Sequence, residues 1–325
     1  MLNDGKVTNT DAENYQNKLK KQVIPYFNKG KQGHFSGVSG INICFHEIIR
    51  GGQDALVMLP GRTEPYLKYS ELIFDLDELG YDFFLLDHRG QGLSGRMLKD
   101  NHKGHVKDFD HYIEDLNTFL ELKKLKEKYR NVYLVAHSMG AAVALWHHIK
   151  KGAYFDKMVL SAPMVEIITG AAYPNHVEKF MQIQKFIGNS SEYSIGSGPG
   201  ELNMPYENNP VTRCPSRFEM ARKLEIENNN LVMGGTTNQW VLESLKVGEK
   251  IYKNKEKLKK LPILMFQAGK DTYSKMKRQN RICESIDTCR KVYIPDSYHE
   301  LFHERDMIRD KVIDETISFL RKETF

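Results

Sequence analysis

The stretch NVYLVAHSMGAAVALWHHI, residues 131–149, constrains the fold more than any other in this chain. An apolar run, Asn131 to Ala136, passes without a loop into His137-Ser138-Met139-Gly140. It then continues into a helical segment with small side chains at Ala141, Ala142 and Ala144. A strand that turns directly into a helix holds the junction residue in a tight turn with its side chain exposed. The positions two before and two after the junction crowd neighbouring backbone and must be small; here they are Ala136 and Gly140. The plain alternative is that Ser138 only caps the helix that follows.

Other short apolar runs are bounded by turn residues: ALVMLP (55–60), YDFFLLD (81–87) and KMVLSAP (157–163). Residues 34–50, HFSGVSGINICFHEIIR, read as two short strands around a Ser-Gly turn. Amphipathic stretches lie between the runs, marked by Leu72, Leu76 and Leu79, by Tyr112, Leu116, Phe119 and Leu120, and by Val143, Trp146 and Ile149. Strands without internal alternation, separated by helical patterns, predict a parallel sheet covered on both faces. The alternation stops near residue 165. Helical pieces, HVEKFMQIQKFI and SRFEMARKLEIE, then flank a Gly/Ser/Pro/Asn-rich stretch over 188–210, and MVEIITGAAY (164–173) is apolar over nearly three helical turns. Strands resume with PILMFQAG (262–269) and KVYIP (291–295), with helices near 275–286 and 303–322. The expected fold is α/β, a mostly parallel doubly wound sheet with an inserted helical cap. Its parts are a polar tail and short helix (1–30), the first part of the core (31–164), the cap (165–239) and the second part of the core (240–325).

The net charge of +5, from 47 basic and 42 acidic side chains, is too small for a dedicated nucleic-acid binder, and no basic and aromatic residues interleave. It leaves room for weak peripheral attraction to an anionic membrane surface. Residues 165–239 carry 6 basic and 8 acidic side chains, so any membrane contact falls to an apolar cap edge or to a core face. No apolar run is long enough to span a bilayer, and the polar start does not read as a secretory signal. The four cysteines have no CxxC spacing and predict isolated thiols in a reducing, cytoplasmic setting. His102, His105, His111, His147 and His148 lack metal-ligand spacing, so neither a metal nor a cofactor is expected.

In its strand–turn–helix setting, AHSMG (136–140) resembles the nucleophile elbow of the α/β-hydrolases, G-x-S-x-G, with Ala136 in place of the first glycine. PGRTE (60–64), DHRGQGLS (87–94), LSAPM (160–164) and an insertion of about 75 residues resemble the lysophospholipase and monoacylglycerol-lipase branch over residues 35–320. NPVTRCPSRFEM (209–220) and GGTTNQWV (234–241) also look like that branch, near its cap–core junction.

The resemblance implies a serine nucleophile, Ser138, and the chain order serine, acid, histidine. Asp271 and His299 follow successive apolar runs, so both can reach the serine at the carboxyl edge of the sheet; Asp296 and His303 compete for the two roles. It also implies an oxyanion hole built from the N–H groups of Met139 and Arg62, with Gly61 and His137 beside the substrate. The Arg62 side chain is either solvated or meets an anionic headgroup. Asp87 and Arg89 are expected to brace their loop as an ion pair. Phe180, Ile183, Phe186 and Ile187 either line an acyl tunnel or pack the cap onto the core.

The implied activity is cleavage of carboxylic esters of a small lipid-like substrate, a lysophospholipid or monoacylglycerol, through an acyl-enzyme. A small-ester carboxylesterase, an aminopeptidase-type hydrolase and a non-catalytic ligand-binding protein on the same fold are the alternatives.

Overall fold

Each short apolar run bounded by turn residues becomes a strand. The computed structural model describes residues 9–202 and 204–322; the first eight residues of the polar leading stretch lie outside the described residues. The strands are β1 (Lys31–Ser36), β2 (Asn42–Ile48), β3 (Asp54–Leu59), β4 (Asp82–Leu86), β5 (Asn131–His137), β6 (Lys157–Ser161), β7 (Ile263–Ala268) and β8 (Cys289–Ile294). They form one sheet in the order β1-β2-β4-β3-β5-β6-β7-β8. β2 pairs antiparallel with both β1 and β4, and the remaining pairings are parallel.

The central strands are buried on both faces, which is why their sequences do not alternate. On β3, Ala55, Val57 and Leu59 enter one apolar cluster while Leu56 and Met58 enter the other. On β5, Val132, Leu134 and Ala136 face the first cluster, Tyr133 and Val135 the second. Helices Asp110–Lys123 and Met139–Lys151 cover the first face; Ser70–Asp75 and Asp306–Arg321 cover the other. Burying each large apolar side chain stabilises the fold by about 1.5–3 kcal/mol.

Between β6 and β7 the chain leaves the sheet. Helices Pro174–Phe186 and Pro215–Glu227 lie in this insertion, and the Gly-rich stretch between them bonds through its backbone to Gly235, which with Gly234 bonds in turn to the core loop at His102 and Gly104. Gly235 N–H donates to Gly198 O (2.7 Å), Gly234 N–H to His102 O (2.8 Å) and Gly104 N–H to Gly235 O (2.9 Å). A Cβ on Gly234 would lie 2.5 Å from Gly198 O, so the close approach requires glycine.

Several expectations are corrected. The stretch 164–173 is not helical: Ile167 bridges to Ser274 and Ile168 N–H donates to Tyr273 O, so its backbone bonds go to the loop after β7. The stripe on helix Pro174–Phe186 faces outward, with Phe186 91% exposed, and so does not pack the insertion onto the core. The leading segment is a longer helical stretch through Phe27, anchored by Leu19, Val23 and Phe27. Cys283 and Cys289 form a disulfide between helix Met276–Cys283 and β8, while Cys44 and Cys214 are free and buried. The expectation of four isolated thiols, which supported a reducing compartment, therefore does not hold. Among the described residues, no helix is long and apolar enough to cross a membrane.

A buried ion pair ties the insertion to the core. Arg217 Nε and Nη2 donate to the two oxygens of Glu71 at 2.8 and 2.9 Å, and Nη1 donates to Glu304 O at 2.7 Å. Burial alone would push the Glu71 carboxyl up; Arg217 and Arg309 outweigh it and hold Glu71 at about 2, below its ordinary 4.5. Arg217→Leu removes the bidentate partner of Glu71 and leaves it only the longer ion pairs to Lys18 (3.4 Å) and Arg309 (3.6 Å), and should cost up to about 3 kcal/mol in chemical denaturation. The Glu71 contribution is present above pH 4.5 and is lost as pH falls toward 2. A denaturation midpoint unchanged in Arg217→Leu contradicts this account.

Candidate active site

β5 delivers Ser138 to the carboxyl edge of the sheet. Its backbone stands at φ 47°, ψ −112°, a strained conformation for a residue with a side chain. Ser138 N–H donates to Ser161 O (2.9 Å), and Ser138 O accepts from the N–H groups of Ala141, Ala142 and Met164. The next helix starts at once and runs against the end of β3. A Cβ on Gly140 would lie 2.4 Å from Leu59 O and 2.6 Å from Pro60 O. Ala136, fully buried between Leu59 and Leu160 of the neighbouring strands, fills the other small position.

His299 Nε2 lies 2.9 Å from Ser138 Oγ. His299 Nδ1 lies 2.9 Å from Asp271 Oδ2, although this contact falls short of good hydrogen-bond alignment. Asp271 Oδ1 accepts from Tyr273 N–H (2.8 Å) and Ser274 N–H (3.0 Å). Burial raises the Asp271 pKa, but His299 and these amides outweigh it, so the carboxyl stays below its ordinary range. Asp296 is elsewhere, 70% exposed and facing Lys270. His303 is buried, with Nε2 on Lys68 O (3.1 Å), and burial holds it well below its ordinary pKa. The structure thus brings Ser138, His299 and Asp271 together, and not Asp296 or His303.

The loop after β3 carries Gly61 and Arg62. Gly61 N–H is taken by Glu64 Oε2 (2.6 Å), and Gly61 O accepts from Gln91 Nε2 (2.6 Å). The N–H groups of Arg62 and Met139 find no acceptor in the protein among the described residues. His137 is corrected: Nδ1 contacts Glu64 Oε2 (2.9 Å) and Nε2 contacts His299 O (3.2 Å), so neither ring nitrogen is left for a substrate. Asp87 and Arg89 do brace their loop, but not as a pair. Asp87 accepts from the N–H groups of Tyr66 (2.6 Å) and Leu93 (2.7 Å). Arg89 instead pairs with Asp115 (2.6 and 2.7 Å).

Beneath this loop lies a buried charge network that motif reading missed. Lys68 Nζ reaches Glu64 Oε1 (2.9 Å) and Glu300 Oε1 (2.6 Å), and Tyr69 Oη also donates to Glu64. Burial opposes the Glu64 charge, but Lys68 and His137 outweigh it and hold the carboxyl well below its ordinary range. Glu64 and Lys68 stand four residues apart in an otherwise apolar stretch, and that spacing was the available signal. Glu64, Glu300 and His303 place ligand atoms within 4.8 Å of one another, but the Lys68 ammonium already fills the cation position between the carboxylates. Gly140→Ala drives a Cβ into the Leu59 and Pro60 carbonyls, and should cost about 1–3 kcal/mol in thermal or urea unfolding. An unfolding midpoint equal to wild type would show that this approach is not constrained.

Residues 52–306 match the family of serine aminopeptidases, S33. Lysophospholipase L2 of Escherichia coli K12 is 30% identical over 316 residues, covering 92% of this chain and 90% of that protein. A soluble variant of monoglyceride lipase from Saccharomyces cerevisiae, in complex with a substrate analog, shares the fold with a TM-score of 0.69. It is 17% identical and covers 91% of this chain and 97% of its own. A thermostable carboxyl esterase from Bacillus coagulans aligns with a TM-score of 0.72 at 17% identity, over 90% of this chain and 97% of its own. The elbow, the sheet order and a match over most of the chain agree: this protein belongs to the serine aminopeptidase S33 family of α/β-hydrolases, in the branch of the lysophospholipases.

Proposed function

We propose that this protein is a serine hydrolase that cleaves carboxylic esters of single-acyl lipids. The observation that carries the reading is the Ser138–His299–Asp271 contact chain on a strained elbow, beside two backbone N–H groups without acceptors among the described residues. His299 Nε2 takes the Ser138 proton as Oγ attacks the ester carbonyl, and Asp271 orients the imidazole. The carbonyl oxygen becomes an oxyanion held by the Met139 and Arg62 N–H groups. The tetrahedral adduct collapses to an acyl-serine, and His299 gives its proton to the departing glycerol or glycerophospho-alcohol. A water deprotonated by His299 then releases the fatty acid and restores Ser138.

The lipid part of the reading rests on the relatives' names and on the insertion. Segment 165–239 serves as a cap, and the outward apolar face of its helix Pro174–Phe186 includes Ile183, Phe186 and Ile187, 57%, 91% and 57% exposed. Such a face suits weak peripheral contact with a lipid surface, where a single-acyl substrate resides.

Ser138→Ala should lower ester hydrolysis by at least about 10⁴-fold with an unchanged circular dichroism spectrum. Turnover at the wild-type rate contradicts the assignment. A series of esters separates the neighbouring activities. Preference for long single acyl chains fits the proposal, whereas activity confined to acetyl esters or aminoacyl amides favours a small-ester carboxylesterase or an aminopeptidase. Absence of hydrolysis on every ester favours a ligand-binding protein.

A further inference from the structure

Glu166 is the one charged side chain in the otherwise apolar stretch 164–173, and the mechanism above makes no use of it. Its carboxylate reaches two cations that follow Asp271 in the chain, Lys275 Nζ at 3.0 Å and Arg278 Nε at 2.7 Å.

The backbone around Glu166 is engaged as well. Lys275 N–H donates to Glu166 O (2.9 Å) and Ile168 N–H to Tyr273 O (2.8 Å), on either side of the antiparallel bridge between Ile167 and Ser274. Upstream, Met164 N–H donates to Ser138 O (3.1 Å), and Pro163 O accepts from the buried Gln279 Nε2 (3.1 Å). Met164 and Val165 belong to the core. One short strip, residues 163–168, therefore touches the nucleophile turn at one end and the acid loop at the other.

The join to the acid loop is direct. Ser274 N–H donates to Asp271 Oδ1 (3.0 Å), and the carbonyl of the same peptide unit, Tyr273 O, accepts from Ile168 N–H. A peptide unit is planar and trans, so fixing the direction of its C=O fixes that of its N–H. The strip thereby aims the Ser274 amide at the carboxylate, whose Oδ2 lies 2.9 Å from His299 Nδ1. A short two-stranded pairing is marginal by itself. The Glu166 ion pairs supply what a single bridge lacks.

We infer that Glu166 is a positioning residue for the acid of the triad. By pinning Lys275 and Arg278 it locks the strip against the acid loop and holds the Asp271 carboxylate where it orients His299. This rests on the Ser138 reading and adds to it a residue that touches neither substrate nor reacting atoms.

The test measures kcat and KM for p-nitrophenyl butyrate in wild type, Glu166→Gln and Glu166→Asp, and again with each change in an Asp271→Ala background. The fold should be kept in Glu166→Gln, because Arg278 retains Glu249 (2.8 Å) and partly exposed ion pairs contribute little to stability. Glu166→Gln should lower kcat about 10-fold at unchanged KM, because a small misplacement of a catalytic group slows the chemical step. Glu166→Asp, which keeps the charge, should lose less. In the Asp271→Ala background the Glu166 changes should have no further effect, since the group they position is gone. An unchanged kcat, a rise in KM alone, or the same fold loss in both backgrounds overturns the inference. If wild type hydrolyses no ester, the Ser138 reading fails instead, and amide hydrogen exchange tests the strip separately: faster exchange at Ser274 in Glu166→Gln supports it, and equal exchange overturns it.

Discussion

The backbone at Ser138 is held at a positive φ by contacts on every side, and the site is arranged around that turn. Ser138 N–H is fixed to β6 through Ser161 O, and three N–H groups converge on Ser138 O. The helix behind it is pressed onto the end of β3 at Gly140. Relaxing the turn would break these bonds together, so the strain persists because the surroundings over-determine it. The same turn leaves the Met139 N–H without an acceptor among the described residues and sets Oγ 2.9 Å from His299. Geometry that is costly for the chain is what equips the proposed nucleophile.

A second constraint is electrostatic. Glu64 accepts from the Gly61 amide, contacts His137 and Lys68, and so anchors the loop that carries Arg62. Lys68 continues to Glu300, and His137 contacts His299 O. Two loops from distant parts of the chain therefore share one buried network. Each charge in it depends on the others, because an unpaired charge at this depth is costly. Positions of the loop after β3 and of the His299 loop are coupled through it.

Much of this was legible in the sequence because the signals are local. The uninterrupted apolar runs mark strands buried on both faces, and AHSMG marks the strand-to-helix turn. Asp271 and His299 follow their strands in an order that limits the candidates to a few. What stayed hidden is nonlocal or a matter of context. Nothing in the composition of MVEIITGAAY reveals that its backbone bonds would go to residues 273 and 274. The disulfide joins cysteines six residues apart across a helix end and a strand start, a pairing without a spacing motif. His137 sits beside the serine in sequence, yet its partners come from the loop after β3 and from His299. The Arg217–Glu71 pair spans 146 residues.

The central claim is that the turn makes Ser138 an activated nucleophile. The most direct measurement is intact-mass and peptide analysis after treatment with a fluorophosphonate, which reacts covalently with activated serines. This account predicts a single adduct on the peptide containing Ser138, lost in His299→Ala. No adduct on the folded protein, or an adduct on another serine, contradicts it.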